Sequence, residues 1–183
     1  MNSTNSQSNQ IDAVESSYDR LVDYRLLQKG LQPFDVGGCG DCFFRSVPHQ
    51  YYGSPDFHIE IRQAGVKYLK EHPELFLESV SENSWQMYLQ RMTTPGTWCD
   101  NIIIQAVANE LHCVIHIIES RLSCLEGSTI ITPSGDQEIT RVLFVGYIED
   151  LHYVSTVPHC RNKNLLDISN SNYLKQKFST KRG

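Results

Sequence analysis

Two short apolar runs rich in β-branched residues, CVIHII at 113–118 and RVLFVGYI at 141–148, constrain the fold more than any other feature of the chain. Each is too short for a buried helix and is expected as a buried strand. A third run, LHYVSTV at 151–157, follows the second across a tight turn at Glu149-Asp150. The polar stretch 120–140 leaves room for one edge strand near Thr129–Thr132. The sheet is therefore small and drawn from the second half of the chain.

Helical spacing dominates the first half. From Ile11 to Gln28 the apolar positions are Val14, Tyr18, Leu21, Val22 and Leu26, and Gly30 ends the pattern. Residues 30–41 hold a proline and four glycines and are expected as a loop. A second helix begins at Cys42 with Phe43, Phe44 and Val47 inward. Pro48 makes it short or kinked, because proline lacks the N–H and its ring clashes with the preceding turn. Further helices are expected over 56–71 (Ile59, Ile61, Ala64, Tyr68 and Leu69 inward), over 80–92, and after a capping box at Thr97-Trp98-Cys99-Asp100. The class is α+β: N-terminal helices packed on a small sheet from the C-terminal half, in one domain over residues 11–158. Residues 1–10 are expected to be disordered, and 159–183 to form a basic polar tail or connector.

Composition narrows the function. A net charge of −5 argues against a nucleic-acid partner. No apolar run reaches the roughly 20 residues of a membrane span. The start, MNSTNSQSNQ, lacks the basic and apolar regions of a secretory signal. Six cysteines in a chain long enough to form a core without staples read as free thiols. That places the protein inside a cell, in reducing cytosol, or in host cytosol for a secreted effector.

The stretch GGCGDCFFRS at 37–46 carries the chemistry. Cys39 and Cys42 have redox-pair spacing at a helix start, but no apolar strand precedes them as a thioredoxin-like site requires. A zinc site needs two more close ligands, which Cys99, Cys113 and His49 do not supply. A cysteine nucleophile needs only one thiol at a helix N-terminus and a histidine from elsewhere. Cys42 and His152, the latter on the last strand, fit those roles. The bland alternative, a buried apolar cysteine and a satisfied surface histidine, remains open on spacing alone.

Three blocks in order, GGCGDCFFRSVPHQYYG, TWCDNIIIQAVANELHCVIHII and VLFVGYIEDLHYVST, resemble the ovarian-tumour (OTU) family of cysteine proteases over residues 34–157. Cys42, Phe44 and Arg45 match the family's Asp-Gly-Asn-Cys-Leu-Phe-Arg pattern. Trp98 to Asn101 match its Trp-Gly-x-Asn, and His152-Tyr153 its His-Tyr. The resemblance implies the papain-like OTU fold and a deubiquitinase that acts on ubiquitin, polyubiquitin or ubiquitin-like modifiers and needs no cofactor or metal. It implies Cys42 as nucleophile and His152 as base. Backbone N–H groups of Cys39, Gly40 and Cys42 would hold the oxyanion, and Trp98 and Tyr153 would line a channel for a Gly-Gly tail. The chain departs from the family at Cys39 and Val154, where the carboxylate or amide that orients the histidine is expected. Asp41, the nearest carboxylate, is taken as the third member, with Asp35 or a Cys-His dyad as alternatives. A catalytically inert ubiquitin-binding module and a CxxC redox protein are the competing functions.

Overall fold

The computed structural model describes residues 21–80, 84–120, 127–136, 138–148 and 152–159. The start of the first expected helix, the first ten residues, the turn at Glu149-Asp150, Cys124, Cys160 and the tail beyond 159 lie outside them. So the expected start of the domain at residue 11 lies outside the described residues, while its expected end at 158 lies within them.

Among the described residues, five strands form one sheet in the order β1-β5-β4-β2-β3: β1 (Leu31–Phe34), β2 (Cys113–Glu119), β3 (Ser128–Ile131), β4 (Arg141–Ile148) and β5 (His152–Pro158). β2 and β4 run parallel, and the other pairs are antiparallel. The helices are α1 (described over 21–28), α2 (Cys42–Tyr52), α3 (His58–Glu71), α4 (Trp85–Thr93) and α5 (Asn101–Leu111).

The sheet is covered unequally, as its two-residue side-chain period requires. Cys113, Ile115 and Ile117 of β2 join Leu143 and Val145 of β4 in the main core with α2, α3, α4 and α5. Ile118 points the other way, where Val22 and Leu26 of α1 bury it. The architecture is the expected α+β one, with helices on a small sheet.

Three local expectations change. Residues 30–41 are not all loop, because Leu31–Phe34 pairs with β5, Pro33 lying opposite Thr156. A proline is tolerated there because β1 is an edge strand. Second, α2 runs four residues beyond Pro48 and ends on Gly53 in left-handed backbone. A proline inside a helix costs about 3 kcal/mol, and α2 has tertiary contacts to offset it. Phe43, Phe44, Val47 and Pro48 are buried, and Arg141 Nη1 donates to the Gln50 and Tyr51 carbonyls at 3.1 Å each. Third, the cap of α5 is Asp100 rather than Thr97. Asp100 Oδ1 accepts from Ile102 and Ile103 N–H at 3.1 Å each, and from the Tyr88 hydroxyl at 2.9 Å.

Candidate active site

Cys42 is the first residue of α2 and 1% exposed. α2 packs along β5, and the Tyr153 N–H donates to Cys42 Sγ at 3.4 Å. The sulfur therefore lies against the backbone of the residue that follows His152. Burial pushes the thiol above its ordinary range and outweighs three backbone N–H groups that favour the thiolate, those of Tyr153, Phe43 and Cys42 itself. The Asp41 charge adds to the rise. A helix start alone was expected to stabilise the thiolate, but desolvation is the larger effect in the free protein.

His152 Nε2 lies 2.9 Å from Asp35 Oδ1. An ionised carboxylate only accepts, so Nε2 is the donor in this bond and Nδ1 is the ring nitrogen not engaged by Asp35. Asp35 sits just past β1. It is aimed by the pairing of Phe34 with Ser155 and by the stacking of the Phe34 ring on His49 of α2, 4.7 Å between centroids. His49 is thus structural, and its Nδ1 also lies 2.8 Å from the Ser155 hydroxyl. Gly37 N–H donates to Asp35 Oδ1 at 2.8 Å, and that bond, followed by the one from His152, holds the carboxyl below its usual range.

Asp41 is not at the imidazole. Its Oδ1 accepts from Arg62 Nη2 at 2.6 Å and Nε at 3.2 Å, and its Oδ2 from Gly96 N–H at 2.8 Å. The expected orienting carboxylate, Asp41, is thus placed with Arg62 and Gly96, and the carboxylate that lies at His152 is that of Asp35.

Among the expected oxyanion donors, Cys42 N–H already favours the charge on its own sulfur. Among the described residues, none accepts from the N–H of Cys39 or Gly40, while Asp41 N–H closes a turn on Gly38 O at 3.0 Å. Cys39 is exposed, Cys42 buried, and both are free thiols. The two channel residues part company. Trp98 is 49% exposed, but Tyr153 is only 6% exposed, its ring edge-on to Phe43 and stacked on Tyr147. The Tyr153 ring is therefore core, and what it offers the site is its backbone N–H. Sequence reasoning passed over Arg62. The available signal was a charge at 62 within the helical stripe 62, 65, 66, 69 of α3, whose other members are buried.

The family model described as OTU-like cysteine protease matches residues 37–156, which include Cys42 and His152. The chain belongs to this family. Among relatives, the OTU protein is 34% identical over 143 residues to OVARIAN TUMOR DOMAIN-containing deubiquitinating enzyme 12 of Arabidopsis thaliana, covering 75% of this chain and 63% of the relative. It is 31% identical to deubiquitinating enzyme 10 of the same plant, covering 74% of this chain and 38% of that one. The chain thus spans less than two thirds of these relatives. Its fold is that of the OTUD1 OTU domain, with a TM-score of 0.68 at 22% identity over 79% of this chain and 97% of that one. It also matches an OTU domain solved in complex with ubiquitin, with a TM-score of 0.57 at 16% identity over 69% of each chain.

Proposed function

We propose that this OTU protein is a deubiquitinase that hydrolyses the isopeptide bond between the C-terminal glycine of ubiquitin and a lysine amine. The observation that carries the reading is the contact of Cys42 Sγ with the backbone of β5, one residue from an imidazole oriented by Asp35. The names of the Arabidopsis relatives and the ubiquitin-bound neighbour support ubiquitin as substrate.

In this mechanism His152 Nδ1 takes the Cys42 proton, and Asp35 stabilises the imidazolium. The thiolate attacks the glycine carbonyl carbon, and the oxyanion is met by the N–H groups of Gly40 and Cys39. Nδ1–H then protonates the lysine nitrogen as the C–N bond breaks, leaving a thioester on Cys42. Water, deprotonated by His152, attacks the thioester carbonyl and releases the ubiquitin carboxylate and the thiol. Trp98 is an exposed ring that would contact the Gly-Gly tail, and ubiquitin-like modifiers with such a tail fall within the same reading. The four described cysteines are all free, which suits a reducing compartment. Residues 11–158 serve as the catalytic domain.

The burial of Cys42 favours a second reading, a module that binds ubiquitin without cleaving it. Ubiquitin bearing an electrophile at its C-terminus separates the two. The hydrolase gives an adduct at Cys42 that Cys42→Ala abolishes and His152→Ala slows by about 10²-fold or more. Binding with no adduct and no cleavage of any diubiquitin would leave the inert module.

A further inference from the structure

Arg62 is the largest side chain that the described fold buries completely, at 1% exposure. Burying a guanidinium costs several kcal/mol unless its donors are met. Here each of its nitrogens has a partner, and no partner belongs to α3 itself. Nη2 and Nε donate to Asp41 Oδ1, and Nη2 also to Gly40 O at 3.1 Å and Thr97 O at 2.7 Å. Nη1 donates to Met92 O at 3.0 Å at the end of α4. The guanidinium lies 3.9 Å over the Phe44 ring of α2. The arrangement joins two stretches that each contribute to the site. Residues 38–41 present the Cys39 and Gly40 N–H groups, and residues 94–98 end in Trp98. The two touch directly, since a Cβ on Gly40 would stand 1.8 Å from Gly96 O, and Gly96 N–H donates to Asp41 Oδ2.

We propose that Arg62 is a positioning residue for acyl transfer: by bridging Gly40, Asp41 and Thr97 it fixes the loop before Cys42 against the segment carrying Trp98. The inference rests on the deubiquitinase reading. It assigns Asp41 a place within this clamp. The planar fork is what meets acceptors from several directions at once, which one ammonium cannot do. Replacing it loosens both segments together while leaving Cys42 at the start of α2.

The test is Arg62→Lys in the whole chain, checked for folding by its thermal transition. Hydrolysis of a ubiquitin C-terminal fluorogenic substrate is measured with backbone hydrogen exchange over 37–41 and 94–98. A displaced loop costs about 10²-fold in kcat with a much smaller change in KM, and exchange rises in both segments together. A folded Arg62→Lys with wild-type kcat, or with exchange raised in neither or only one segment, overturns the proposal. Where Arg62→Lys does not fold, Asp41→Asn decides by the same readouts, because it removes the charge that Arg62 holds and keeps the shape. A wild-type chain that cleaves no ubiquitin substrate fails the deubiquitinase reading instead, and the exchange pattern then decides the Arg62 clamp alone.

Discussion

Gly40→Ala is expected to cost far more than Gly37→Ala, although both glycines hold left-handed backbone, with φ of 77° and 66°. At Gly37 a Cβ would meet nothing within 4 Å. Its substitution costs only the left-handed penalty of about 1–2 kcal/mol. At Gly40 the same penalty applies, and the new carbon would also stand 1.8 Å from Gly96 O and 2.4 Å from Gly96 C. Backbone cannot yield as a flexible side-chain tip does. The 94–98 segment must move away, and the Gly96 N–H bond to the Asp41 carboxylate, 2.8 Å long, goes with it. A hydrogen bond to a charged group is worth about 1.5–3 kcal/mol, so the total is about 2.5–5 kcal/mol. Urea unfolding of both variants measures the difference. Thermal midpoints follow at about 2–4 °C per kcal/mol for a chain of this length. Equal losses for the two variants would refute the docking of the two loops as the reason position 40 is glycine.

Asp35→Ala is expected to lower kcat by about 10²-fold or more, the usual span for a group that orients a general base, read on a ubiquitin fluorogenic substrate. The carboxyl of Asp35 lies below its ordinary value of 3.8, so its contribution is complete above that value and is lost as pH falls through the lower folded one. A wild-type acid limb set by Asp35 therefore lies below pH 3.8. Cys42 is shifted the other way, above 9.0. The stability that the neutral thiol contributes is complete below that value and is lost as pH rises through the higher folded one. Iodoacetamide alkylation of Cys42 in the free protein should accordingly still be accelerating at pH 9, and a plateau near neutrality would contradict the dominance of burial. Trp98→Ala should raise KM while changing unfolding free energy by less than about 1 kcal/mol, as expected of a half-exposed ring. Unchanged cleavage would remove Trp98 from the channel.

Local chemistry determined a good part of this protein. The β-branched runs made β2, β4 and β5 legible, with β4 falling on Arg141–Ile148 and the other two shifted by a residue at their ends. Apolar spacing gave α3 and α5, because a helix or strand that must bury one face writes its period into the sequence. The placement of Cys42 at the start of α2 was legible for the same reason. Tertiary structure decided what spacing does not encode. β1 holds a proline and gains its strand form only by pairing with β5, a partner more than 110 residues away in the chain. Asp41 looked like the orienting carboxylate because it adjoins Cys42, yet Arg62 claims it, and Asp35 reaches His152 only once β1 is zipped to β5. Tyr153 turned inward because residues alternate across a strand and the helix side of β5 is core. Sequence sets the period of each element. Which side chains meet across elements depends on register and on competition for partners, and those exist only in the folded chain.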